Sequence, residues 1–187
     1  PSIFGFLPTL AKALVANTKM RDILRLHQEW KALAPRNVSM DEIAVHIARN
    51  KALAIKSTVD ASMPILAADT IVVLQNGIIG KPKDRNDAIS ILSRLSGKMH
   101  QVITGVVLLT EEKEIAFAET TKVEFHDLTP AQIEFYVDQY RPYDKAGAYA
   151  IQEWIGVVGI RSVTGDFYNV MGLPVSRVVK ALQGLNV

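Results

Sequence analysis

Cysteine is absent from this 187-residue chain. Its absence removes disulfides, thiolate metal sites and cysteine nucleophiles together, and it agrees with a reducing cytosol. No run reaches the roughly 18 apolar residues of a membrane span, so no membrane partner is expected. Charge of neither sign dominates: 21 Lys and Arg stand against 19 Asp and Glu, a net of +2. No clustered basic stripe marks a nucleic-acid binder, and no nucleic-acid partner is expected. His27, His46, His100 and His126 are scattered without HxxxH or HExxH spacing, which argues against a histidine-built zinc site. Walker A, GxGxxG and GxSxG motifs are also missing. The opening segment Pro1–Pro8 is apolar but short, without a basic start or a small-residue cleavage site, so it is weak ground for a secretory signal. The cytoplasm is the expected location.

What is present is an ordinary globular mixture, 49% hydrophobic and 21% charged, of a length that fits one large domain or two lobes sharing a sheet. Residues 10–34 mix helical spacing at Leu10, Ala13 and Leu14 with a possible strand end at Leu14-Val15. Asn17 or Thr18 can cap a helix that Pro35 stops. Ser39-Met40-Asp41-Glu42 is a capping box that opens a helix to about Lys56, with Ala44, Ile47, Ala48, Lys51 and Ile55 on its inward stripe. Ile65 to Leu74 predicts a strand buried on both faces, and Asn76-Gly77 a two-residue hairpin turn into Ile78-Ile79. Asp84 caps a helix with the stripe Ala88, Ile91, Leu92, Leu95, ended by Gly97. A strand at 100–110, a charged turn at 111–114 and an alternating strand at 115–125 follow. Thr129-Pro130 starts a helix with Ile133, Tyr136, Val137 and Tyr140 on one side. Residues 148–163 read as strand, and a last helix runs from Val175 with Val178, Val179 and Leu182 inward. The pattern is an α/β chain with a mixed β-sheet and flanking helices.

Asp69 is the sharpest chemical feature, one carboxylate in an almost wholly apolar run. Burying it costs several kcal/mol unless it is paired, so a metal, a lysine or a cleft must compensate; the structural alternative is an aspartate tied to backbone amides. Lys51, on an apolar helical stripe, needs a partner or a cavity, or else it snorkels to the surface. Lys81 sits between Gly80 and Pro82 and is either a site lysine or a solvated loop lysine. Asp144-Lys145 is an ion-pair candidate before a strand entry. Gln152 offers both an acceptor and donors, with an exposed strand glutamine as the alternative. Asp166 and Asn169 read as turn formers.

Ala68-Asp69-Thr70, Gly80-Lys81-Pro82, Leu95-Ser96-Gly97, His100, Thr104-Gly105-Val106, Asp144-Lys145-Ala146-Gly147-Ala148-Tyr149, Ile151-Gln152 and Asn169-Val170-Met171-Gly172-Leu173-Pro174 occur in an order that resembles the Maf family of nucleotide pyrophosphatases. The likeness covers roughly residues 42–184, and the Gly-Ala-Tyr-x-Ile-Gln form looks like the branch acting on dTTP and UTP. The resemblance implies a Maf/ITPase-like single domain over residues 1–187, with two lobes around a deep cleft, often as a homodimer. It implies cleavage of a nucleoside triphosphate to the monophosphate and pyrophosphate with a divalent metal, magnesium or manganese. On this likeness Asp69 is the catalytic acidic residue and metal ligand, Lys51 and Lys81 are catalytic lysines, and Thr70 and Gln152 are tied to base choice. Lys145 joins them as a substrate-binding candidate.

The N-terminal region departs from the family pattern. Where the family has Ser-x-Ser-Pro-Arg-Arg, a phosphate-binding turn, the best local match is Ala16-Asn17-Thr18-Lys19-Met20-Arg21. Thr18, Lys19 and Arg21 are the substrate-binding candidates that keep related chemistry. A metal-holding glutamate of the family has no clear counterpart. The alternative functions are a 7-methyl-GTP-type pyrophosphatase, or a nucleotide-binding protein whose catalysis the altered turn has weakened.

Overall fold

The computed structural model describes residues 38–60 and 62–184; the strand and helix expected within 10–34 lie outside the described residues. Helix α1 (Met40–Lys56) starts at the expected capping box. The Ser39 hydroxyl accepts from the Glu42 amide at 3.2 Å, and the Glu42 carboxylate accepts from the Ser39 amide at 2.8 Å. Strand β1 (Ile65–Leu74) follows, then β2 (Gly77–Ile79), α2 (Arg85–Leu95), β3 (Met99–Leu109), β4 (Glu114–Phe125) and α3 (Pro130–Tyr140). A 3-10 turn at Ala146–Ala148 leads to α4 (Trp154–Val158), β5 (Ile160–Thr164), α5 (Phe167–Val170) and α6 (Val175–Gln183). The five strands form one sheet in the order β2-β1-β3-β4-β5, and both edge pairs, β1 with β2 and β4 with β5, are antiparallel. Helices and strands are interspersed along the chain, as the sequence predicts.

The hairpin turn lies one residue earlier than its Asn-Gly signal. Leu74 pairs with Gly77 and Val72 with Ile79, so Gln75 and Asn76 are the two turn residues, with φ of 49° and 63°. A turn at Asn76-Gly77 would set Lys81 opposite the buried Val72. The observed register sets Ile79 there instead, and apolar pairing outweighs turn propensity. The ladder ends at Ile79, before Gly80-Lys81-Pro82.

Residues 148–163 are also not one strand. They hold a turn, α4 and only the first part of β5. A Cβ at Gly156 would lie 1.7 Å from the Ile151 carbonyl oxygen, so glycine permits the tight return of the chain here. Val157 is 86% exposed; the β-branched residues suggested a strand, but no sheet face receives them. Strand β1 is also less enclosed at its centre than at its ends, since Ala68, Asp69 and Thr70 are only half-buried.

The chain divides into two compact units. The first holds the described residues through Asp69, Gly105–Ala118 and the described residues from Ser176. Its apolar centre joins Ala48 and Ala52 of α1 to Ile65 and Ala67 of β1 and Val107 and Leu109 of β3. Helix α1 packs backbone-close on β3: a Cβ at Gly105 would stand 2.1 Å from the Ala44 carbonyl carbon, which only glycine avoids. The second unit holds Thr70–Thr104 and Glu119–Val175. Its larger core is built from the α2 stripe Ala88, Ile91, Leu92 and Leu95, from Ile133, Tyr136 and Val137 of α3, and from Val123 and Phe125 of β4. Tyr140, expected with the α3 stripe, is exposed.

Candidate active site

The helical period of α1 carries Lys51 on the side of Ala44, Ile47 and Ala48, all buried. The lysine meets the acid of β1 there. Lys51 Nζ donates to Asp69 Oδ1 at 2.5 Å and to the Ala68 carbonyl oxygen at 3.3 Å. The side chains are 19% and 14% exposed. Two opposite charges in contact offset much of the desolvation that either alone would suffer. A small residual exposure remains on both side chains. Of the two readings the sequence allows for Asp69, compensation by a lysine is what the structure shows, and Lys51 does not snorkel away.

Thr70, the next residue of β1, belongs to the second unit. Its Oγ1 is 2.8 Å from Thr104 Oγ1 and donates to the Gly172 carbonyl oxygen at 3.4 Å. Thr104 in turn donates to the Asn169 carbonyl oxygen at 3.3 Å. Asp166 is the turn former its type suggested: it caps α5 by accepting from the amides of Tyr168 and Asn169. Asn169 is not. It is fully buried, and its Nδ2 lies 3.0–3.1 Å from the carbonyl oxygens of Val102 and Glu119 and from Thr121 Oγ1. A short polar side chain in a polar loop gave no sign of this, because the acceptors come from distant strands.

Lys81 is exposed just past β2, while Pro82 beside it is buried. Lys145 Nζ pairs with Asp144 Oδ2 at 2.7 Å. That hydrogen bond holds the Asp144 carboxyl below the usual aspartate range, with the Lys81 charge acting in the same direction. Lys81, Asp144 and Lys145 thus form one electrostatic group. Gln152 is exposed and lies inside a four-residue turn closed by the Glu153 amide on the Ala150 carbonyl at 3.1 Å; it is a turn residue, not a strand residue. Thr18, Lys19 and Arg21 lie outside the described residues. Among the described residues, no group of three or more His, Cys, Asp or Glu side chains gathers as a metal cage.

Two buried polar pairs were not singled out from the sequence. Tyr136, placed by the sequence on one side of its helix, is fully buried, and its hydroxyl donates to Glu153 Oε2 while accepting from the Ala150 amide at 3.1 Å. Burial and that carboxylate raise its pKa. The available signal was a tyrosine on a buried helical stripe, whose hydroxyl must find a partner. His100 Nε2 lies 2.8 Å from the Tyr149 hydroxyl, edge-on to Phe125, and desolvation lowers its pKa to about 4. His100 is therefore neutral at pH 7.

The family model described as Maf-like protein matches residues 12–185. A dTTP/UTP pyrophosphatase of Bacteroides thetaiotaomicron is 45% identical over 174 residues, covering 93% of this chain and 90% of its own. A protein of the same description from Parabacteroides distasonis is 45% identical over 80% of this chain and 77% of its own. A third, from Bacteroides fragilis, is 47% identical over 81% and 78%.

Proposed function

The chain belongs to the Maf-like protein family, and from that premise we propose that it is a nucleoside triphosphate pyrophosphatase, converting dTTP or UTP to the monophosphate and pyrophosphate. The observation that carries this reading is the pairing of Lys51 with Asp69 at 2.5 Å, mostly but not wholly buried, in a chain so similar to proteins named for that activity.

A nucleoside triphosphate brings about four negative charges, and its site must offer cations that are already in place. Lys51 and Lys81 are the catalytic cations of this reading, and Lys145 binds substrate. Thr18, Lys19 and Arg21 contact phosphate from the segment outside the described residues. Asp69 accepts the proton of the attacking water. The water oxygen bonds to the α-phosphorus, the bond from that phosphorus to the bridging oxygen of the β-phosphate breaks, and pyrophosphate departs. Lys51 holds the Asp69 carboxylate where it can take that proton.

A divalent ion fits the donor set on one condition. Asp69 supplies one hard oxygen ligand, and magnesium or manganese characteristically completes such a shell with phosphate oxygens and water. When bound, the ion neutralises charge building on the phosphates.

Thr70 and Gln152 are assigned to base choice. Uracil and thymine present N3–H beside O4, and a side-chain amide meets both at once. Guanine offers N1–H beside O6, so pocket size must complete the choice. The two-lobed single domain with a mixed sheet about a deep cleft, the homodimer and the cytoplasmic location belong to the same reading.

The test is a panel of nucleoside triphosphates with magnesium or manganese, scored for pyrophosphate and monophosphate. Turnover is expected to be highest on dTTP and UTP. Release of orthophosphate in place of pyrophosphate overturns the reading. The departures at Ala16, Lys19 and Met20 favour one second reading, a nucleotide-binding protein with weakened catalysis, and tight nucleotide binding without pyrophosphate would select it.

A further inference from the structure

One phenol oxygen holds both ends of the turn that carries Gln152. The turn runs Ala150-Ile151-Gln152-Glu153 and closes through the Glu153 amide on the Ala150 carbonyl at 3.1 Å. The Ala150 amide donates to Tyr136 Oη at 3.1 Å, and Tyr136 Oη donates to the Glu153 carboxylate. The first and last residues of the turn are thus fixed to the same atom on α3. That atom is itself immobile: Tyr136 is fully buried and its ring stacks on Tyr140 at a centroid distance of 5.0 Å. Ala148, just before the turn, is buried in a left-handed conformation with φ of 59°, a strained entry that persists only where the surroundings impose it. Ala150 and Ile151 are buried while Gln152 is exposed. The turn is anchored on every side except the one its amide side chain occupies.

From this we infer that Tyr136 and Glu153 are positioning residues for base discrimination, acting through the backbone of the turn that presents Gln152. The inference rests on the proposal that Gln152 reads the base. Its chemical reason is specific to glutamine. Uracil and thymine offer a donor beside an acceptor, and cytosine offers the reverse at N3 and N4. A carboxamide can serve either by turning over, because its oxygen and nitrogen ends have nearly the same shape. Anchoring the backbone does not set which end of the amide faces the base; it sets where the amide stands against the N3–H and O4 edge of uracil or thymine, and small displacements from a productive geometry are expensive. The buried hydroxyl and the partly buried carboxylate strengthen the anchor, since a hydrogen bond shielded from water is stronger than an exposed one.

The experiment compares kcat/KM on dTTP and on CTP for the wild type and for Gln152→Ala, Tyr136→Phe, Glu153→Ala and Glu153→Gln, each checked for folding by circular dichroism and thermal midpoint. Tyr136→Phe keeps the ring and loses only the shared hydroxyl. It is expected to lower the dTTP-over-CTP ratio by about tenfold, mainly through a higher KM for dTTP, with kcat changed far less. Glu153→Ala is expected to lower the ratio similarly, and it stands in if Tyr136→Phe does not fold. Glu153→Gln leaves an acceptor for the hydroxyl and should recover most of the ratio. The double variant Tyr136→Phe with Gln152→Ala should discriminate no worse than Gln152→Ala alone, because both act through one contact. If Gln152→Ala leaves the ratio unchanged, the base-reading proposal fails and this inference with it. If Gln152→Ala collapses the ratio while folded Tyr136→Phe and Glu153→Ala preserve it, the base-reading proposal stands and the inference is overturned.

Discussion

The two compact units bury polarity in different ways. The first hides a full charge pair, Lys51 against Asp69, with side chains 19% and 14% exposed. The second hides His100, Thr104, Thr121 and Asn169, and its histidine stays uncharged at neutral pH because burial lowers its pKa to about 4. Neutral groups that share hydrogen bonds cost little to enclose and fix the paths of strands and loops. Charges cost far more to enclose and need a partner of opposite sign, as Lys51 and Asp69 supply for each other. The contrast sets neutral groups that shape the molecule apart from the charge pair assigned to the proposed chemistry.

The largest expected effect comes from removing the Asp69 charge. Asp69→Asn is nearly isosteric, so it should retain the fold while pyrophosphate release falls by about a thousandfold or more; near-normal turnover would dissolve the contrast. Lys51→Met removes the ammonium bonded to this acid, and is expected to cost about 2 kcal/mol of stability besides activity, measured by urea unfolding.

The next effect belongs to the neutral unit. His100 is uncharged in the fold down to about pH 4, while in the unfolded chain it takes a proton near pH 6.5. Between those values the unfolded state binds more protons, so stability is complete above about pH 6.5, falls as pH drops towards 4 and levels below it. The loss is about 3 kcal/mol, and His100→Asn should remove this pH dependence from the thermal midpoint. Asn169→Ala removes the Nδ2 hydrogen bonds to the Val102 and Glu119 carbonyls, so it should cost about 2 kcal/mol and leave the dTTP-over-CTP ratio alone. The smallest effect is expected at the exposed pair. Asp144→Asn should change stability by no more than about 0.5 kcal/mol at pH 7. Its depressed carboxyl pKa confines even that contribution to pH above the acid range, where it is lost as the carboxylate protonates.

How much of this was legible depended on whether the signal was local. The capping box at Ser39, the cap at Asp84 and the Thr129-Pro130 start are contacts within a few residues, and each helix begins where they say. Asp69 and Lys51 each stood out because a charge broke an apolar pattern, and each demanded a partner. That they are each other's partner depends on how α1 packs, which no spacing along the chain encodes. The hairpin shifted by one residue because burial of Ile79 opposite Val72 outweighed a local turn preference. Asn169 and Tyr136 were underestimated for one common reason: their partners come from elements far away in sequence, and a polar atom's partner cannot be inferred from its own neighbours.

The close seat of Ala44 on Gly105 has a mechanical meaning for Asp69. Lys51 lies two helical turns beyond Ala44, about 10 Å at 1.5 Å per residue. The glycine is the fulcrum and the lysine rides the far arm of the lever. Lifting the helix by the thickness of one methyl group, as Gly105→Ala would, swings the ammonium out of reach of its carboxylate. The smallest side chain that chemistry can add is then expected to silence the pair while leaving both of its charges in the sequence.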